Sequence, residues 1–211
     1  MRVFAPDLPG FGDSPEPAGY SGSEDYLRIL LNWLDKLHIT RLDIIAHSFG
    51  GRIAIRMAAE HPDLVGKLIL TASAGVRPHR RMGTSVRILA AKSLRRLGQV
   101  VGGSIGSHIE NRRQALGSAD WRSASPVMRG VLSRVIKEDL SDEMKRITAP
   151  TLLLWGKDDR ETPLWMGRRM AELIPQSKLT IIERAGHYPF LDRPGEAVAA
   201  VWKHLALPDA W

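Results

Sequence analysis

The sequence predicts an α/β fold, a mostly parallel sheet flanked by helices, and three of its features carry that reading. Short apolar runs of strand length recur at 42–45, 65–70, 151–155 and 178–183. Stretches with helical spacing of apolar residues alternate with them, as in chains that build parallel sheets through crossover connections. Several runs end in loops holding Ser, Asp or His, and open α/β sheets gather functional groups at the carboxyl ends of their strands.

Taken in order, Leu27, Leu30, Leu31, Leu34 and Leu37 form a helical stripe from a candidate Ser23 cap to Leu37. Leu42-Asp43-Ile44-Ile45 reads as a strand that turns into the helical pattern Arg52 to Glu60, which His61-Pro62-Asp63 stops. Val65-Gly66-Lys67-Leu68-Ile69-Leu70 is the next strand. Thr151-Leu152-Leu153-Leu154-Trp155, after Ala149-Pro150, reads as a buried strand, and Lys178 to Glu183 as another. Ala197 to Leu205 is expected to be a helix closing the sheet, with Trp202 in the core. The chain has no internal repeat and no low-complexity linker.

The junction Ala46-His47-Ser48-Phe49-Gly50-Gly51 is the sharpest chemical signal. A serine on a strand-to-helix elbow is strained toward positive φ and needs small neighbours, which Ala46 and Gly50 supply. The helix that follows directs unpaired N–H groups and the positive end of its dipole at Ser48, so the Phe49 N–H is a candidate oxyanion donor. The plainer reading is an N-cap serine. Asp159 follows one strand and His187 another, behind Gly186. Alone, Asp159 before Arg160 could be a turn or a cap, and His187 a satisfied polar residue. Together they give the chain order Ser, Asp, His, which is that of α/β-hydrolase triads.

These segments resemble the α/β-hydrolase fold superfamily, in its serine esterase branch with a helical cap. Gly156-x-x-Asp159-x-x-x-Pro163 matches the acid motif with Asp159 in register and Asp158 one residue out, and Ala46 stands where the motif G-x-S-x-G has its first glycine. The resemblance implies Ser48 as nucleophile, His187 as general base and Asp159 as its orienting acid. It divides the chain into a first core part at 1–76, a helical cap at 77–148 and a second core part at 149–211. Met128 to Leu140 looks like the last cap helix, and Ile105, Trp121 and Met128 are candidate pocket residues. Arg2-Val3-Phe4-Ala5-Pro6 looks like a strand leading into the loop Asp7 to Ser14.

In the family that strand follows three others, a helix and a His-Gly-type loop that supplies the second oxyanion donor; here Met1 stands directly before it. The expectation is therefore an N-terminally truncated member with a half-built oxyanion hole, and loss of one donor slows such sites about a hundred- to a thousand-fold. Three explanations compete: a start placed too late in a longer enzyme, which is favoured; direct pairing of Arg2–Pro6 with Leu42–Ile45; or strands supplied by a partner.

Serine in the nucleophile position supports acyl-enzyme chemistry on esters, thioesters or activated amides. It argues against the dehalogenase and epoxide hydrolase relatives, which use aspartate. Carbon–carbon bond hydrolases keep the serine but often carry tryptophan shortly after the histidine, where this chain has Tyr188-Pro189-Phe190, so they rank lower. Transfer of the acyl group to an acceptor other than water stays open. The competing class is a degenerate hydrolase-like domain that binds a small molecule or a partner without turnover.

Composition sets the remaining bounds. The 211 residues are enough for one sizeable core. With no cysteine, thiolate metal sites and disulfides are excluded, and no cofactor is expected. No stretch has membrane-spanning length and no signal pattern opens the chain, so a cytoplasmic location is the default expectation. The net charge of +7 and pI near 10.0 come partly from arginines and lysines between Arg77 and Arg113. No aromatic residue interleaves there, so nucleic-acid binding is not expected, and the basic amphipathic pattern at 86–97 reads as a solvated cap helix. Arginines facing the pocket would instead favour an anionic substrate.

Overall fold

The computed structural model describes residues 2–19, 21–77 and 124–206. Most of the expected cap, including Ile105, Trp121 and the basic pattern at 86–97, lies outside the described residues.

The elements are α1 (Ser23–Lys36), β1 (Leu42–His47), α2 (Phe49–Glu60), β2 (Val65–Thr71), α3 (Pro126–Val135), α4 (Ser141–Met144), β3 (Thr151–Gly156), α5 (Leu164–Leu173), β4 (Ser177–Ile182), α6 (Pro189–Asp192) and α7 (Pro194–Leu205). The four strands form one parallel sheet in the order β1-β2-β3-β4. Register pairs His47 with Thr71, Thr71 with Leu154 and Gly156 with Ile182. Because every pairing is parallel, the loops after β1, β3 and β4 emerge at the same edge of the sheet, which brings distant parts of the sequence together.

One face of the sheet is thickly covered. Ala46, Leu68, Leu70, Leu153 and Trp155 point into a core shared with α1, α2, α3, α4 and α5. The other face carries a small cluster, Leu154, Ile182, Ala185 and Ala197, beneath α7. Beside it Ile45, His47, Thr71, Val201 and Trp202 line an open groove of about 280 Å³. Trp202 is half-buried in that groove rather than in the core as expected, because α7 lies chiefly over β3 and β4.

Arg2–Pro6 was expected as a strand and is not one: it forms no ladder with β1, and Val3 is 78% exposed. Phe4 lies edge-on against Trp33 of α1, their centroids 5.6 Å apart, so the segment runs over the helix instead of along the sheet. A strand needs a hydrogen-bonding neighbour to exist, and sequence pattern alone cannot supply one. Direct pairing with Leu42–Ile45 is thereby overturned.

The helix starts differ in smaller ways. Gly22, not Ser23, is the N-cap of α1, and the Asp25 carboxylate accepts the Gly22 N–H at 2.9 Å. The buried Ser23 hydroxyl instead bonds the Glu138 carboxylate and accepts from Arg56 Nε at 2.6 Å. Arg52, also buried, donates to the Glu138 carbonyl at 3.1 Å, so α1 and α2 grip the chain where it returns after α3. The helix expected from Met128 to Leu140 is shorter, Pro126–Val135, and starts at a Ser125 cap whose hydroxyl accepts the Met128 N–H. No described helix is long and apolar enough to cross a membrane.

Candidate active site

Ser48 sits between β1 and α2 with φ 48° and ψ −113°, the strained elbow that its small neighbours permit. Backbone bonds hold it there. Its N–H donates to the Thr71 carbonyl at 3.2 Å, and its carbonyl accepts from Gly51 at 3.1 Å and Ala74 at 3.0 Å. Phe49 opens α2, so its N–H has no acceptor within the helix. The Phe49 ring stacks on Phe11 at 5.4 Å and meets Tyr26 edge-on at 5.1 Å, which fixes the loop before α1 over the elbow. Tyr26 completes this with a hydroxyl donated to the Pro9 carbonyl at 2.9 Å.

Asp159 lies in the loop after β3, buried, with its carboxylate fully partnered. Oδ1 accepts the N–H groups of Glu161 at 2.8 Å and Thr162 at 3.0 Å. Oδ2 faces the Thr162 hydroxyl at 2.8 Å and His187 Nδ1 at 3.0 Å. Burial alone would raise the pKa of this group. Hydrogen bonds from His187, from the Thr162 hydroxyl and from the Thr162 N–H, with the charge of His187, outweigh it, and the carboxyl is held below its usual value. A carboxylate with Oδ1 occupied by backbone donors offers Oδ2 to the imidazole, so Nδ1 carries the proton.

His187 follows β4 and is buried. Its Nε2 stands 3.1 Å from Ser48 Oγ, so the serine hydroxyl is the donor to the unprotonated ring nitrogen. The three side chains that the sequence marks out therefore meet in one hydrogen-bonded line, while Met128 is buried with its sulfur against Gly10.

Other contacts at this site give parts to residues that the sequence places near it without assigning them any. Thr162 is one: its single proton has two acceptors, Asp159 Oδ2 and the Ala72 carbonyl at 3.0 Å, which link the acid loop to the end of β2. His47 is another, its Nε2 lying 2.8 Å from the His187 carbonyl. A carbonyl can only accept, so this nitrogen carries hydrogen. The His47 ring packs 4.7 Å from that of His187 and 5.0 Å from that of Tyr188, bracing the histidine loop from the serine side. Gly156 is a third. A Cβ there would overlap the carbonyl oxygens of Gly186 and Ala185, so the end of β3 and the histidine loop touch backbone to backbone. No group of metal-ligating side chains occurs among the described residues.

The model of the alpha/beta hydrolase family matches residues 1–201. The chain belongs to the α/β-hydrolase family. Among curated relatives, a 2-hydroxy-6-oxononadienedioate/2-hydroxy-6-oxononatrienedioate hydrolase of Cupriavidus pinatubonensis is 32% identical over 208 residues, spanning 89% of this chain and 70% of that protein. A pimeloyl-acyl-carrier-protein methyl ester esterase of Neisseria meningitidis is 28% identical over 223 residues, 95% of this chain and 81% of that one. Among solved structures, the meta-cleavage product hydrolase CumD of Pseudomonas fluorescens superposes with a TM-score of 0.68 at 22% identity, covering 96% of this chain and 78% of its own. That last likeness bears on the fold alone. Relatives named as hydrolases and as an esterase agree with membership in a hydrolase family.

Proposed function

We propose that this α/β-hydrolase is a serine hydrolase that acts on an ester, thioester or related acyl substrate through an acyl-enzyme at Ser48. The observation that carries the reading is the unbroken line from Ser48 Oγ through His187 Nε2 and Nδ1 to Asp159 Oδ2, at 3.1 Å and 3.0 Å. In this mechanism Oγ attacks the substrate carbonyl carbon while its proton passes to His187 Nε2. The imidazolium is stabilised by Asp159, and the Phe49 N–H faces the oxyanion. Collapse expels the leaving group, which takes the proton back from Nε2. Water, activated by the same nitrogen, then releases the acid and restores the Ser48 hydroxyl.

The relatives named above include an esterase and a 2-hydroxy-6-oxononadienedioate/2-hydroxy-6-oxononatrienedioate hydrolase, and Tyr188 directly after His187 keeps the ester reading in front. Exposure to a fluorophosphonate probe tests the nucleophile: labelling is expected on Ser48 and lost in Ser48→Ala. Equal labelling of both proteins would sink the assignment, and labelling of neither would favour a domain that binds without turnover.

A further inference from the structure

One acidic side chain at the site has no part in the mechanism above. Glu161 lies two residues beyond Asp159, and its Oε2 stands 3.8 Å from His187 Nε2, the same nitrogen that faces Ser48 Oγ. Its backbone is pinned by the N–H bond to Asp159 Oδ1, so this placement belongs to the acid loop itself. The side chain is 35% exposed, enclosed enough to be only partly screened.

The geometry fixes which side of a substrate would meet it. To hand its proton back, Nε2 must come within about 3 Å of the departing atom. That atom then lies within about 7 Å of Glu161 Oε2, by addition of this reach to the 3.8 Å separation. The distance is shorter than the Debye length of about 8 Å at physiological ionic strength. A charge carried by the leaving group is therefore felt by Glu161, whereas the acyl group, held on Ser48, extends from the other side of the reacting carbon.

We propose that Glu161 is a specificity-determining residue on the leaving-group side, favouring esters whose leaving group carries a quaternary ammonium or protonated amine and disfavouring those whose leaving group carries a carboxylate. The inference rests on Ser48 as nucleophile. At these distances a unit charge changes kcat/KM by about tenfold for an effective dielectric between those of a protein surface and water.

The test compares phenyl acetates bearing an ortho trimethylammonium or an ortho carboxylate group, which sets the charge beside the departing oxygen, with the wild type, Glu161→Gln and Glu161→Lys. Differences in leaving-group acidity cancel when the cation-to-anion ratio of kcat/KM is compared between proteins. That ratio is expected to fall about tenfold or more in Glu161→Gln and to fall further in Glu161→Lys; addition of salt should compress it in the wild type. A merely structural glutamate would not produce this ordering by charge. A ratio constant within about twofold across the three proteins overturns the proposal, as does failure of the cationic ester to acylate a chain whose Ser48 is labelled by fluorophosphonate. Absence of that labelling would instead overturn the nucleophile reading.

Discussion

β3 and β1 each deliver a residue to the site, yet they are enclosed to very different degrees. β3 is buried from Thr151 to Gly156, lies between two parallel neighbours and leads to Asp159. Among the described residues β1 pairs with β2 alone; it alternates in burial, leaves Ile45 60% exposed and leads to Ser48. Placement at a carboxyl end follows from strand direction and does not require enclosure. Tolerance to substitution does depend on it, and in the opposite sense: a packed strand transmits any change of volume to its neighbours and so tolerates little.

Gly156→Ala strikes the enclosed strand hardest. The new methyl group would meet carbonyl oxygens of Gly186 and Ala185, not the far end of a flexible side chain, and the histidine loop must move. A displacement of about 1 Å can cost a hundredfold in rate, so fluorophosphonate labelling of Ser48 should slow by about that factor. Labelling at the wild-type rate would show that the loop yields without disturbing His187.

Stability separates the strands next. Leu153 is fully buried, and its truncation to alanine should cost about 2–5 kcal/mol in urea unfolding. Ile45→Ala, on the exposed face of β1, should stay within about 0.5 kcal/mol. Equal losses would mean that the groove beside α7 is packed in solution.

The smallest effect concerns Tyr26, which helps to fix the elbow side. Burial raises its pKa to about 12, while an unfolded tyrosine titrates near 10. The unfolded chain thus releases the proton first, so stability is undiminished below about pH 10 and declines as pH rises toward the folded value. Its share of the slope is at most about 1.4 kcal/mol per pH unit and should be missing from Tyr26→Phe, as read by urea midpoints across that range.

Much of this was legible in the sequence because it is local or periodic. The leucine stripe of α1, the apolar runs of β2, β3 and β4, and the small residues around Ser48 each announce themselves within a few positions. Ser48, Asp159 and His187 were legible because strand ends in a parallel sheet converge. Arg2–Pro6 misled because strand character is a property of two segments, and the sequence shows only one of them. Thr162, His47 and Glu161 lie in segments the sequence marks, yet their parts stayed invisible for a related reason: each depends on a group distant in the chain, the Ala72 carbonyl for Thr162 and His187 for the other two.

The backbone bonds around Ser48 have a thermodynamic consequence. Its N–H and carbonyl are engaged by Thr71, Gly51 and Ala74, all of them main-chain groups, so the elbow is ordered before any ligand arrives. The loss of conformational entropy in setting that hydroxyl is met once, as the chain folds. A molecule reaching Ser48 therefore surrenders only its own freedom of motion, and the barrier to its first encounter should carry little contribution from reordering of the protein.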